Sequence, residues 1–146
     1  MSKATPSIVV ACDGSEQSIH AAQVAAELAK ATGHPLNLLS VFPGSKAQKL
    51  IISGVRPDEL EEKEEQFARE AFDAVRSAVS ATAKPSEVVL LKGDPAAEIL
   101  EYLKENPGAH LVLGRRGHSL VRSLTLGSIS EKVVRHATGP VTVVGE

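Results

Sequence analysis

The chain has 146 residues, of which 42% are hydrophobic and only 3% aromatic, and its formal net charge is -2. This length predicts a single domain, residues 1–146, that buries its own core without disulfides or structural metals. The slight acidity and the scarcity of aromatic side chains argue against a nucleic-acid-binding protein. The single cysteine, Cys12, and apolar runs too short to span a membrane predict a cytoplasmic protein that does not insert into membranes.

The first third of the chain predicts a strand, a helix and a second strand. Residues 7–12 form an apolar run rich in β-branched side chains, which is typical of a strand buried on both faces. In residues 15–32 the apolar positions recur at helical spacing, and Gly33 is the residue type that commonly ends a helix. Residues 36–42 are predicted to form the second strand. The stretch 43–57 then reads as a long connection that holds two glycines and two prolines.

A long helix is predicted to begin at Pro57 and Asp58. Its apolar residues repeat at helical spacing and are expected to face the core; they are Leu60, Phe67, Ala71, Phe72, Val75 and Val79. Its glutamates suit the positive end of the helix dipole and are expected to stay in solvent; they are Glu61, Glu62, Glu64 and Glu65. We therefore interpret this acidic run as a solvated face rather than a binding site.

The alternation of strands and helices continues after this helix. Residues 87–91 predict a third strand, and Asp94 followed by Pro95 is a strong start signal for a helix. The inward-facing residues of that helix are expected to be Ile99, Leu100 and Leu103. The pattern closes with a strand, a helix and a last strand at residues 110–113, 129–137 and 139–144.

This alternation predicts an α/β fold, a doubly wound five-stranded parallel sheet with helices on both faces, similar to Rossmann folds. In such a sheet, ligands bind beyond the carboxyl ends of strands at the point where the strand order reverses. Two loops contain residue types that are typical of ligand sites. One is Asp13-Gly14-Ser15 after the first strand, and the other is the glycine-rich segment after the fourth strand. If they share a site, the strand order is 3-2-1-4-5. A flavodoxin-like order 2-1-3-4-5 would instead place residues 92–94 opposite Asp13.

The segment that follows the fourth strand, residues 114–130, is rich in glycine. Gly114 and Gly117 are separated by two residues, and nine residues separate Gly117 from the pair Gly127-Ser128. Glycine lets a ligand approach the main chain, and the free amides at a helix start bind anions. The segment is also locally basic, since it contains Arg115, Arg116, His118 and Arg122. We interpret it as a phosphate-binding loop.

Several common phosphate-binding patterns are missing from the sequence. It contains no GxxxxGK[ST] loop, and no GxGxxG follows the first strand. A response-regulator receiver would need an acceptor Asp after the third strand and a Lys after the fifth, but here the fifth strand is followed by Gly145 and Glu146. These absences exclude the common NTPases and the receiver domains.

With these residues in view, the whole chain resembles the universal stress protein family. The spacing of Gly114, Gly117, Gly127 and Ser128 is similar to the family's G-x2-G-x9-G-[ST] signature, which marks its ATP-binding members. Asp13, in the sequence VACDGS, resembles the aspartate that ends the family's first strand. The turn at 93–95 and the terminal GPVTVV are also similar to family features.

The resemblance implies where ATP would lie, with any Mg held through the phosphates. Ala11, Cys12 and Asp13 would contact the adenosine, and Val41 would border the adenine. The ribose would contact Leu113 and Gly114. The phosphates would be surrounded by residues around the start of the last helix; they are Arg116, Gly117, Gly127, Ser128, Ile129 and Ser130.

Structural interpretations of the same residues stand beside these functional ones. Ser128 and Glu131 have the spacing of a capping box, and Asp13 could serve only to cap its helix. Cys12 lies in a buried strand, where a packed thiol is expected rather than a reactive one. The five histidines show no metal-ligand spacing.

Three functions follow from these features. The first is an ATP-binding regulatory module of a stress response, or of a transporter or enzyme, acting on a protein partner that the sequence does not identify. The second is a weak ATP hydrolase or phosphotransferase, for which Asp13 and Glu131 are the nearest acids. The third is a dimeric scaffold, since the short apolar last strand, residues 141–144, would form an open edge. The family resemblance implies a homodimer, or a larger oligomer, through that strand.

Overall fold

A computed structural model describes residues 5–115 and 126–145 of the chain. The described residues form a parallel five-stranded sheet of order β3-β2-β1-β4-β5. The strands are β1 (Ser7–Ala11), β2 (Leu36–Pro43), β3 (Glu87–Gly93), β4 (Ala109–Gly114) and β5 (Val141–Val144). The helices are α1 (Glu16–Thr32), α2 (Gly44–Ile52), α3 (Pro57–Val79), α4 (Pro95–Glu105) and α5 (Ser128–His136). The predicted fold and strand order are confirmed, and the flavodoxin-like order is excluded.

Two hydrophobic layers cover the sheet, because successive residues of a strand point to opposite faces. Val10 and Val112 belong to the layer beneath α1 and α3, whereas Val9 and Leu111 belong to the layer beneath α4 and α5. Alanines dominate the buried face of α1; they are Ala21, Ala22, Ala25, Ala26 and Ala29. Since these side chains are small, α1 lies close to the sheet beside the end of β4.

The helix termini follow the predicted signals in most places. Gly33 ends α1 with a positive φ of 76°, and its N–H donates to the Ala29 carbonyl. Asp94 caps α4 by accepting a hydrogen bond from the Ala97 N–H at 3.0 Å, and Pro95 is the first residue of that helix. Among the residues predicted to face the core from α4, Ile99 and Leu103 are buried and Leu100 is half-buried.

The prediction that 43–57 is a long connection is wrong over most of its length, since it contains a helix. Residues Gly44–Ile52 form α2, which has no buried residue and no side-chain cap. The glycines and prolines that suggested a loop lie at or beyond its two ends. Ile51 and Ile52 are exposed at its carboxyl end.

The expectation for α3 is partly wrong. Ala71, Phe72, Val75 and Val79 are buried, whereas Leu60 and Phe67 are only half-buried. Glu64, which was expected to stay in solvent, is only 6% exposed. The ammonium of Lys92 on β3 lies 2.8 Å from the Oε2 atom of Glu64, and this ion pair allows the Glu64 carboxylate to be buried. Glu61, Glu62 and Glu65 are exposed as expected.

No helix in the described ranges is both long and apolar enough to cross a membrane.

Candidate functional site

A cavity of about 300 Å³ lies at the carboxyl ends of β1, β2 and β4. The strand order reverses here, since β2 leads away from β1 in one direction and β4 in the other. Helices from both faces of the sheet therefore leave a gap above β1, which is where open α/β sheets hold ligands. We call the residues contributed from one direction the β4 side; they are Leu113, Gly114, Gly127, Ser128, Ile129 and Ser130. The opposite β2 side consists of Leu39, Val41, Pro43, Phe67, Pro95 and Ile99.

The end of β1 and the start of α1 form the wall between the two sides. Asp13 and Ser15 both line the cavity, and the Asp13 carboxylate accepts a hydrogen bond from the Ser15 N–H at 2.9 Å. Gly14 between them has a φ of 83°, which glycine adopts at little cost. This turn directs the chain from the strand into the helix.

The interpretation of Asp13 as the helix cap is wrong. The N-cap of α1 is Ser15, whose side-chain oxygen accepts a hydrogen bond from the Ser18 N–H at 3.1 Å. The Ser18 hydroxyl in turn donates to the Ser15 carbonyl at 2.9 Å. Asp13 therefore shapes the turn before the helix, and it lines the cavity from there.

Cys12 lies beside Asp13 and is only 3% exposed. Burial raises the pKa of its thiol from 9.0 to about 12, because the thiolate would lose its hydration. Its Sγ atom lies 3.5 Å from the Val10 carbonyl, to which the thiol donates weakly. The thiol is therefore packed and protonated near neutral pH, as the sequence predicted.

The β4 side is held together by hydrogen bonds between distant segments. The Gly127 N–H donates to the Arg115 carbonyl at 3.0 Å, and the Arg115 N–H donates to the Val144 carbonyl at 2.9 Å. The buried Ser130 hydroxyl donates to the Gly114 carbonyl at 2.8 Å. These bonds place the start of α5 beside the end of β4.

Within residues 5–115 and 126–145, no side chain caps the N-terminus of α5. Its N-cap is Gly127, and Ser128 is the first helical residue. Ser128 and Glu131 therefore do not form the capping box that their spacing suggested. The Glu131 carboxylate instead pairs with Arg135 at 2.7 Å. Because the first N–H groups of a helix have no partner within it, this end presents backbone donors and the positive end of the dipole to the cavity.

The β2 side is apolar and comes from three separate elements. Phe67 of α3 packs edge-on against the buried Phe42 of β2, with ring centroids 5.3 Å apart and an angle of 88° between the planes. The ammonium of Lys46, on α2, lies 5.3 Å from the centroid of Phe67. Pro95 and Ile99 close this side from α4.

Of the twelve predicted site residues, the ten that are described all line this cavity. They are Ala11, Cys12, Asp13, Val41, Leu113, Gly114, Gly127, Ser128, Ile129 and Ser130. Arg116 and Gly117 lie outside the described residues, as do His118 and Arg122.

Seven further residues line the cavity that were not among the predicted site residues; they are Ser15, Ser18, Leu39, Pro43, Phe67, Pro95 and Ile99. Ser15 carried a signal, since it belongs to the turn that was singled out after β1. The apolar residues of the β2 side carried no such signal, because an apolar residue that lines a cavity cannot be told from a core residue in the sequence.

The family model described as the universal stress protein family matches residues 5–145. Universal stress protein YxiE of Bacillus subtilis is 31% identical over 143 residues, which cover 94% of this chain and 97% of the relative.

Two solved structures show the same similarity in three dimensions. Universal stress protein UspA from Lactobacillus plantarum superposes with a TM-score of 0.78 at 26% identity, covering 98% of this chain and 99% of that one. A universal stress protein solved in complex with cAMP gives a TM-score of 0.67 at 25% identity, covering 97% and 98% of the two chains.

Proposed function

This chain belongs to the universal stress protein family, and from that premise we propose that it binds ATP in the cavity and acts as a nucleotide-responsive regulatory module. The observation that carries the proposal is the meeting of two unlike surfaces in one cavity. Backbone donors at the start of α5 form one of them, and the apolar β2 side forms the other. A nucleotide has the matching polarity, since its phosphates are anionic and its base has apolar faces. A relative of similar fold was solved with the nucleotide cAMP.

We assign the phosphates to the β4 side. The N–H groups of Ser128, Ile129 and Ser130 lie in the first turn of α5, where a phosphate can accept them. The Ser130 hydroxyl already donates to the Gly114 carbonyl, so Ser130 would serve the ligand through its backbone. Arg116 and Gly117 are proposed to complete this part of the site.

We assign the base to the β2 side, where the backbone of Val41 favours adenine. The ladder between β1 and β2 ends where the Cys12 N–H donates to the Leu39 carbonyl at 2.7 Å. Residues two apart in a strand direct their backbone groups to the same neighbour, so those of Val41 point beyond the end of β1. An N–H donor beside a C=O acceptor matches the N1 acceptor and N6 donor of adenine. Guanine presents the reverse pattern on that edge.

The sugar would then lie over the wall between the two sides. Ala11, Cys12 and Asp13 would contact the adenosine from the end of β1 and the turn after it, and Leu113 with Gly114 would contact the ribose from β4. The Asp13 carboxylate is an acceptor at the cavity surface, where a ribose hydroxyl could donate to it.

Any Mg²⁺ is proposed to be held largely through the phosphates. In the ranges 5–115 and 126–145, no three His, Cys, Asp or Glu side chains are grouped as metal ligands. Magnesium commonly binds through substrate phosphates with few protein ligands.

We propose binding rather than hydrolysis as the main activity. A hydrolase needs a group that orients water at the terminal phosphate. The carboxylate of Glu131 pairs with Arg135, and that of Asp13 accepts a hydrogen bond from the turn after β1. The role of the protein would then be to present a different surface to a partner when ATP is bound.

We also propose that the protein forms a homodimer through β5. This strand pairs with β4 and lies at an edge of the sheet, and all four of its residues are half-buried. An edge strand of this kind can pair with the same strand of a second copy. Replacing Val143 by Lys should shift the mass in solution toward the monomer, and an unchanged dimer would contradict this assignment.

The experiment that tests the proposed function is to purify the protein, denature it and analyse the supernatant for adenine nucleotide by chromatography, followed by titration of ATP into nucleotide-free protein. Release of nucleotide, or saturable binding lost in Gly117→Val, supports the proposal. Absence of both in the unmodified protein would favour a scaffold. Steady phosphate release that disappears in Asp13→Ala would favour a hydrolase.

A further inference from the structure

Phe67 is the aromatic side chain that α3 brings to the cavity, far from the glycine-rich segment in the sequence. We propose that Phe67 is a specificity-determining residue, which contacts the base of a bound nucleotide and favours purine over pyrimidine nucleotides, with Lys46 as the residue that positions its ring. This inference rests on the proposed function, because it concerns the base end of the same site.

The ring of Phe67 is fixed in place by contacts on neighbouring elements. Phe42, which is only 1% exposed, lies edge-on to it with the centroids 5.3 Å apart. The Lys46 ammonium lies 5.3 Å from the centroid of Phe67 and 5.7 Å from that of Phe42, within the range of a cation–π attraction. The two rings and the ammonium thus form one cluster that joins α2, α3 and β2.

A second contact fixes the height of α3 above the sheet. Glu64 lies three residues before Phe67 in the helix, and its buried carboxylate pairs with Lys92 of β3 at 2.8 Å. Residues three apart lie on the same face of a helix, so the ion pair and the ring contact act on the same side of α3. Phe67 therefore reaches the cavity from a helix that is held against the sheet, and not from a loop.

The position of Phe67 places it beside the base rather than the phosphates. It belongs to the β2 side with Leu39, Val41 and Ile99, whereas the backbone donors of α5 belong to the β4 side. An apolar aromatic surface gains most from a large flat partner, because both contact area and stacking grow with ring size. A purine offers two fused rings to this surface and a pyrimidine offers one.

The test compares three ligands, ATP, CTP and inorganic tripolyphosphate, by isothermal titration of nucleotide-free protein. The unmodified protein should bind ATP more tightly than CTP. Phe67→Ala should weaken ATP binding by about tenfold, weaken CTP binding less, and leave tripolyphosphate binding unchanged. Phe67→Tyr should restore the preference for ATP. Phe67→Leu, which keeps an apolar side chain, should fold normally and still lose much of that preference.

Lys46 has a matched control on the same helix. Lys46→Ala should weaken ATP binding by about two- to threefold, since it removes the ammonium from the rings. Lys49→Ala removes an equal charge from the next turn of α2 and should leave the affinity for ATP unchanged. Equal losses in the two variants would show a general charge effect and would overturn the assignment of Lys46.

Three outcomes of this test separate this inference from the proposed function. If the unmodified protein binds ATP and Phe67→Ala and Phe67→Leu bind it equally well, the role of Phe67 is wrong and the proposed function stands. The role is also wrong if the variants lose ATP and tripolyphosphate affinity to the same extent. If the unmodified protein binds none of the three ligands, the proposed function fails, and the role of Phe67 fails with it.

Discussion

The β4 side and the β2 side of the cavity are built from different parts of the polypeptide. The β4 side contains two glycines, Gly114 and Gly127, and the backbone donors at the start of α5. The β2 side is made of side chains that β2, α3 and α4 bring together from across the chain. Glycine lets the main chain approach a ligand closely, so a wall that contains glycines leaves a mark in the sequence. A wall of apolar side chains has the same composition as a core and leaves none.

Cys12, which directly follows β1 between the two sides, provides the largest expected effect. With a pKa of about 12 in place of 9.0, its thiolate fraction at about pH 8 should be about a thousandfold below that of an ordinary thiol, and alkylation should slow accordingly. The rate of iodoacetamide labelling, with unfolded protein as the control, measures this directly. Labelling of the folded protein at the unfolded rate would show that the wall between the two sides is open to solvent.

Gly114 tests how closely the main chain is packed on the β4 side. A Cβ at this position would lie 3.1 Å from both the Cβ and the carbonyl oxygen of Gln17 on α1. Gly114→Ala should therefore lower the free energy of unfolding by about 1–3 kcal/mol and weaken ATP binding. Chemical denaturation and titration measure the two effects. Gly145→Ala is the control, since among the described residues no atom beyond its chain neighbours lies within 4 Å of a Cβ built there, and equal stability of the two variants would contradict the close packing.

Alanine variants of Ser130 and Ser128 test which of the two side-chain hydroxyls holds the start of α5 in place. Ser130→Ala removes the donor to the Gly114 carbonyl and should cost about 1 kcal/mol of stability. Ser128 is exposed and its hydroxyl caps no helix, so Ser128→Ala should change stability by less than about 0.5 kcal/mol. Thermal unfolding of nucleotide-free protein compares them. A larger loss in Ser128→Ala would show that the hydrogen bond between Ser130 and Gly114 does not anchor α5.

The ion pair behind the β2 side predicts a smaller, pH-dependent effect. The hydrogen bond and the charge of Glu64 raise the pKa of Lys92 above its ordinary 10.5. The pair therefore stabilises the folded state fully below that value, and its contribution is lost as the pH rises through the raised pKa. The difference in melting temperature between the unmodified protein and Glu64→Gln should stay constant below pH 10.5 and shrink as the pH rises above it, through the raised pKa of Lys92. A constant difference would show that the pair contributes nothing through its charge.

The sequence predicted the parts of the fold that depend on local pattern. The β-branched run of β1, the cap at Asp94 and the stop at Gly33 specify strands and helix ends through neighbouring residues, and the alternation of elements specifies a parallel sheet. The helix at Gly44–Ile52 was missed because its glycines and prolines suggested a turn and because it has no buried residue to produce a strong apolar stripe. Glu64 was misjudged because its partner, Lys92, is distant in the sequence.

The same distinction holds for the candidate site. Asp13, Gly114 and Gly127 lie next to strand and helix ends, so their place at the carboxyl edge follows from the order of the elements. Phe67 and Ile99 could not be distinguished from core residues, since only the packing of α3 and α4 on the sheet exposes them to the cavity.

The central claim is that one nucleotide spans both sides of the cavity. Two-dimensional amide NMR of isotope-labelled protein, titrated with ATP, tests it most directly. The amides of Val41 on the β2 side and of Ser128, Ile129 and Ser130 on the β4 side should shift together with one saturating dependence on ATP concentration. Shifts confined to one side, or no shift on either side, would contradict the claim.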